Sequence, residues 1–201
     1  MDYELLWLSQ LDDDGIKRLA ALHHSVMHTL LSQLGLSMVL RYYQIAQADR
    51  DVIGLCAISS SGDMFGWAMG SPHPEVINAR LRTPIAWFVF QMFRLAFTSP
   101  FVLWQLISST LSLSGQIAIG SGVMELTYIG VAPNQRSKGL GGELLNAFIQ
   151  ASRLKGCHSV VLSVETENAL AIALYEKAGF KITKTFSEGR YQRHRMELIL
   201  A

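Results

Sequence analysis

A mixed α/β fold, one sheet with at least two neighbouring parallel strands and helices covering it, is what this sequence predicts. Three observations carry that reading. From Val123 onward the apolar periodicity runs strand, helix, strand, helix, strand, an order that sets one strand parallel to its neighbour through a helical crossover. In the first half, two strand candidates, Val52 to Ser59 and Met64 to Met69, flank the turn "SSSGD" and read as a hairpin. The length, 201 residues, buries a substantial core within one domain, 1–201.

Residues 3–9, "YELLWLS", read as the first strand. The cluster Asp12, Asp13, Asp14 then supplies an N-cap for an apolar-periodic helix from Ile16 to Leu31. "LGLSMVLRYYQIAQAD" predicts a second helix capped near Ser37, followed by a turn at Asp49 to Asp51. After the hairpin, Pro72 and Pro74 end the extended run. Val123 to Val131 is a strand, about Gly139 to Lys155 a helix, and Ser159 to Val164 an apolar strand. Ala169 to Ala178 is a short helix with Gly179 placed as its C-cap glycine. Phe180 to Phe186 and Arg195 to Leu200 close the chain as strands around "SEGR".

The segment from Leu81 to Leu113 stands apart. It is almost wholly apolar, and no charged residue occurs between Arg94 and Glu125. Pro100, preceded by Thr98 and Ser99, divides it into two helices, giving a helical insert at about 80–114. Neither piece reaches the roughly 20 uninterrupted apolar residues of a spanning helix. Three uses stay open for it: packing that shapes a pocket, a homodimer face, and peripheral membrane contact.

Charged residues are only 16% of the chain and the net charge is +1, so nothing global favours nucleic acid or another anionic polymer. Any anion site must be local. Cys56 and Cys157 are far apart and unpaired in spacing, which fits neither a disulfide framework nor a zinc cluster. They read as small apolar fillers in a reducing compartment. The opening "MDYELLWLSQLDDD" has acids where an export signal has bases, so a cytoplasmic location is expected.

The local anion site is sought in "GVAPNQRSKGLGGELL", Gly130 to Leu145. The first turn of a helix has N–H groups with no internal partner, and glycines let backbone approach an anion closely. Arg136 and Lys138 add charge beside Gly139, Gly141 and Gly142. A plain surface turn remains the competing reading. A nucleic-acid patch would need an aromatic platform or a basic stripe. A Walker loop would end in "GKS" or "GKT" where this chain continues "GLGG", and a dinucleotide fingerprint has no place for "NQRSK" between Pro133 and the first glycine.

This stretch resembles the cofactor-binding motif of the GCN5-related N-acetyltransferase (GNAT) superfamily. The family's Arg/Gln-x-x-Gly-x-Gly/Ala is matched by Arg136, Ser137, Lys138, Gly139, Leu140 and Gly141. "VETENALAIALYEKAGF", Val164 to Phe180, is similar to the family's second conserved region at Asn168, Ala171, Tyr175, Gly179 and Phe180. The two motifs span about 60 residues and are specific as a pair. The resemblance implies a mixed, mostly antiparallel central sheet with a parallel splayed strand pair. It implies acetyl-CoA as donor substrate, its pyrophosphate on backbone N–H groups from Arg136 to Gly141 and the helix start at Gly142. The pantetheine arm would follow Ile129, Gly130 and Val131, with the thioester where that strand and Ser159 to Val164 part.

Acyl transfer to an amine needs a neutral amine, a stabilised oxyanion and a proton for the leaving thiolate. By resemblance, Tyr175 hydrogen-bonds and protonates the coenzyme's sulfur, a backbone N–H near Ile129 to Val131 meets the oxyanion, and Asn168 orders the loop and the coenzyme arm. Glu125 is the base candidate, as the first carboxylate after the uncharged run and on the central strand, where the family often keeps a glutamate. Strand alternation puts it on one face with Thr127 and Ile129, and a salt bridge to a helix or exposure to solvent is its other use. Glu165, Glu167, or no dedicated base are the alternatives. His24 and His28 share a helix face beside His23, but two histidines alone do not make a metal site, and none is expected. The acceptor is a small-molecule or peptide amine; the apolar acceptor-side segments argue for an apolar amine rather than a polyamine. A non-catalytic acyl-CoA-binding or interaction module of the same fold, and transfer of a longer acyl chain, are the competing functions.

Overall fold

The computed structural model describes residues 2–83, 86, 120–188 and 191–200. Of the apolar segment, Leu81 ends a helix and Arg82 and Thr83 follow it; the two predicted insert helices lie outside the described residues. No helix among the described residues is long and apolar enough to cross a membrane.

The elements run β1 (Tyr3–Trp7), α1 (Asp13–Val26), α2 (Leu30–Gln33), α3 (Leu36–Gln47), β2 (Ile53–Ser59), β3 (Met64–Ser71) and α4 (Pro74–Leu81). They continue with β4 (Val123–Val131), α5 (Leu140–Leu154), β5 (Ser159–Glu165), α6 (Ala169–Lys177), β6 (Lys181–Glu188) and β7 (Tyr191–Ile199). Short 3-10 turns at Leu8–Gln10 and Pro133–Gln135 follow β1 and β4. The seven strands form one sheet in the order β1-β2-β3-β4-β5-β7-β6. Every neighbouring pair is antiparallel except β4 and β5, the parallel pair expected from the crossover through α5.

Helix α1 starts where the aspartates predict, because Asp12 accepts from the Gly15 N–H at 2.7 Å. Ile16, Leu19, Ala20 and His23 form its buried stripe. It does not reach Leu31. The helix ends at Val26, and a new cap at Thr29 starts α2. Helix α3 is entered through Gly35, at φ 96°, so Ser37 lies inside the first turn rather than capping it. Helix α4 departs from the sequence expectation, although Pro74 at its first turn and Glu75 beside it are the usual opening of a helix. The last two strands are longer than the apolar pattern predicts, since polar residues of "YQRHR" alternate along β7.

Two apolar layers hold the sheet. On one face α5 sets Leu140, Leu144, Leu145 and Phe148 against Leu126, Val160, Leu162 and Met196. On the other, α1 and α3 bring Ile16, Leu19, Met38, Tyr42 and Tyr43 onto Trp67 and Met69. Burial of each large side chain is worth roughly 1.5–3 kcal/mol.

Strand β4 holds an irregularity that matters for the site. Its register with β3 shifts between Met69, opposite Tyr128, and Gly70, opposite Leu126, leaving Thr127 as an extra residue. The bulge breaks the alternation assumed from sequence. Leu126 and Ile129, three apart, both pack in the layer under α5, whereas Tyr128 packs toward α1 and α3. Glu125 and Ile129 therefore fall on opposite faces.

Candidate active site

Strand β4 ends at Val131, and the chain turns through Pro133–Gln135 into the mouth of α5. Ser137 at φ 62° and Gly139 at φ 86° take left-handed backbone conformations, the kind of turn from which anion nests are built. Among the described residues, no oxygen of the chain accepts from the N–H groups of Ser137, Lys138, Gly139, Leu140 or Gly141. The neighbours on either side are engaged: Arg136 N–H donates to Pro133 O and Gly142 N–H to Gly139 O. The N–H groups without an acceptor thus run from Ser137 to Gly141, within the stretch from Arg136 to Gly142 singled out in the sequence. Lys138 Nζ donates to Gln135 Oε1 at 3.0 Å, while the Arg136 side chain is exposed. Glu143, the acid of the first helical turn, accepts from the Tyr3 hydroxyl.

Strands β4 and β5 pair only from Val123 opposite Ser159 to Leu126 opposite Leu162. Beyond that point β5 continues against β7 and β4 against β3, so the edge of β4 from Thr127 to Val131 has no β5 partner. The cause is the bulge, which bends β4 away. Ile129, Gly130 and Val131 lie along this open edge.

Glu125 lies at the start of the opening. Its Oε1 accepts from Arg195 Nη1 at 2.9 Å and its Oε2 from Nη2 at 3.4 Å, and Nη1 also reaches Ser163 Oγ at 3.1 Å. The salt bridge weighed for this residue exists, made to a strand rather than to a helix. Pairing explains it: Glu125 is opposite Val161, Ser163 is two residues farther along the same face of β5, and Arg195 is opposite Ser163. Sequence reasoning does not find Arg195 or Ser163. No signal in the sequence marks either, because their meeting with Glu125 depends on three strands lying side by side. Glu165, at the end of β5, is exposed and 3.8 Å from Arg193, and Glu167 is exposed in the turn that follows.

Tyr175, on α6, is buried beside Phe180, with ring centroids 5.8 Å apart. Burial pushes its phenol up to about 12, so it stays protonated at neutral pH. Its hydroxyl has no hydrogen-bond partner among the described residues. Asn168 caps α6 by accepting from the Ala171 N–H at 3.2 Å. Gly179 takes φ 96° just past the helix, as expected of a C-cap glycine.

The histidines separate. His24 and His28 lie away from the buried stripe, His28 beyond the end of α1, and no group of three metal-ligating side chains forms among the described residues. His23 is fully buried among Tyr43, Trp67 and Tyr128, with Nδ1 2.7 Å from Tyr43 Oη. Desolvation lowers its pKa to about 4, against an ordinary value of 6.5. Between those limits the unfolded chain takes up a proton that the native state refuses, so stability falls as pH drops from about 6.5 to about 4. The full effect is about 3 kcal/mol. Urea midpoints at pH 7 and pH 4.5 check this: the drop should be smaller in His23→Phe than in the parent, and parallel pH dependences would refute it. Cys56 is buried and its thiol is raised to about 12, which agrees with a filler.

Known proteins resemble this chain in sequence and fold. The family model described as "Acetyltransferase (GNAT) family" matches residues 19–180. The L-methionine sulfoximine/L-methionine sulfone acetyltransferase of Pseudomonas aeruginosa is 43% identical over 53 residues, 26% of this chain and 31% of that one. A mycothiol acetyltransferase of Corynebacterium aurimucosum is 42% identical over 60 residues, 30% of this chain and 20% of its own. The matched stretch thus spans less than a third of either relative. Among solved structures, yncA from Salmonella typhimurium, with its cofactor acetyl-CoA, superposes with a TM-score of 0.63 at 18% identity. That match covers 100% of this chain and 95% of the other. At that identity the likeness speaks for the fold.

Proposed function

This chain belongs to the GNAT acetyltransferase family, and from that premise we propose that it transfers an acetyl group from acetyl-CoA to a primary amine by direct attack in a ternary complex. The observation that supports this most is the run of five N–H groups, Ser137 to Gly141, with no acceptor among the described residues, at the mouth of a fifteen-residue helix. Such a run, at the positive end of a helix dipole, suits a diphosphate. Arg136 adds its charge. The pantetheine arm lies along the open edge of β4, from Thr127 to Val131, where backbone groups lack a β5 partner.

In this reading the amine nitrogen attacks the thioester carbonyl beside the parting of β4 and β5, forming the C–N bond and a tetrahedral oxyanion held by a backbone N–H near Ile129 to Val131. Collapse breaks the C–S bond. Glu125 accepts the proton lost by the amine and passes it to water. Tyr175 donates a hydrogen bond to the departing sulfur. With its pKa at about 12 it is a weaker acid than a thiol near about 8.5, so it stabilises the developing thiolate, and the final proton comes from solvent.

Calorimetry with acetyl-CoA, followed by thiol release with a panel of amines, tests the reading; failure to take up acetyl-CoA would remove it. Tight uptake without thiol release would favour a non-catalytic binder. Gly139→Val should weaken acetyl-CoA binding about tenfold, because a β-branched residue at φ 86° is strained by more than about 1 kcal/mol and the N–H array relaxes with it. Unchanged affinity would show that these N–H groups do not hold the coenzyme.

A further inference from the structure

We propose that Arg195 is a positioning residue that acts through Glu125, holding the carboxylate at the parting of β4 and β5 where the acceptor amine must lose its proton. The inference rests on the acetyl-transfer reading above and deepens it.

Three features of the pair point to this. Arg195 is largely buried, its side chain only 11% exposed, while Glu125 keeps 21%. The guanidinium is therefore the anchored partner and the carboxylate the one that meets solvent. The contact is forked and unequal: Oε1 is held at 2.9 Å and Oε2 at 3.4 Å, so Oε2 is the oxygen with more freedom to accept from an amine. Arg195 is itself fixed by a second anchor, Ser163 Oγ at 3.1 Å, and by its place opposite Ser163 in the β5–β7 ladder.

The location matters as much as the contact. Glu125 is one residue before the last β4–β5 pair, Leu126 with Leu162, and Ser163 is one residue after it. The ion pair thus joins β4 to β7 across β5, just where β4 and β5 part. A merely structural ion pair could sit anywhere along the sheet. Without the fork, a glutamate on the bulged strand would swing among rotamers, and a base must be within hydrogen-bond reach of the proton that it takes. A lysine could supply charge, but its single ammonium cannot hold two carboxylate oxygens in one plane.

The test uses two acceptors with acetyl-CoA at neutral pH: n-butylamine, which is protonated and needs a base, and hydroxylamine, which is already neutral. Arg195→Met and Glu125→Gln should each lower kcat/KM for n-butylamine at least about tenfold more than for hydroxylamine, because the neutral acceptor has one proton fewer to lose. The double variant should be no slower than Glu125→Gln alone, since Arg195 has nothing left to position. Arg195→Lys should fall between. Acetyl-CoA affinity, measured by calorimetry, should hold in every variant, which controls for folding. The proposal is overturned if Arg195→Met slows both acceptors equally, if it slows the Glu125→Gln variant as much as the parent, or if it leaves n-butylamine turnover intact. Those results would leave the acetyl-transfer reading standing, whereas absent acetyl-CoA uptake by the parent protein would remove both.

Discussion

Gly70→Ala is expected to destabilise the protein by about 3 kcal/mol or more, a fall in Tm of roughly 6–12 °C for a chain of this size. A Cβ at this position would lie 2.1 Å from the Glu125 carbonyl oxygen and 2.6 Å from Phe148 Cζ. The phenyl ring could shift, but the carbonyl is backbone in the neighbouring strand, so the strands themselves would have to part. The clash falls on the pairing next to the Thr127 bulge, so Glu125 would be displaced with it. Gly141→Ala is the matched control, because its Cβ would meet Leu174 and Val131 at an ordinary 3.7 Å. That change, within α5, should be neutral or stabilising by up to about 1 kcal/mol. Thermal melts of the two variants beside the parent check both; equal melting points would mean that the close approach at Gly70 is absent.

Tyr175→Phe should lower turnover about a hundredfold while leaving acetyl-CoA affinity within about twofold. The ring packs on Phe180 in the apolar layer, and phenylalanine keeps that packing. Only the hydroxyl is lost, and no group of the chain among the described residues depends on it. Stability should therefore hold or rise slightly, since a buried polar atom has been removed. The measurement is kcat from thiol release with the most active panel amine, alongside calorimetric binding. Full turnover in the variant would take Tyr175 out of the reaction.

The features that can be read without the structure are those that local chemistry decides. Asp12 before an apolar stripe caps α1, Gly179 closes α6, and the glycine-bearing turn after Val131 opens α5, because each depends on residues within a few positions. The end of α1 shows where that reading stops. Periodicity continues from Ile16 to Leu31, but the backbone leaves the helix at Met27, and nothing in the apolar pattern marks the break. Helix α4 shows the opposite error: Pro74 reads as the stop of a strand, and it is also the start of a helix.

The sequence by itself determined the succession of the seven strands, the parallel pair and the loop that offers unpaired N–H groups, all consequences of short-range periodicity, capping and glycine conformation. Only the tertiary structure decided how the site is wired. The bulge at Thr127 arises from strand register, and it both opens the edge of β4 and turns Glu125 and Ile129 to opposite faces. Arg195 reaches Glu125 across seventy positions because β5 lies between β4 and β7. Likewise His23, one of three histidines in a short stretch, is held neutral only because α3 and the sheet close over it. Strand register and burial depend on which surfaces meet, and no window of sequence contains both sides of such a contact.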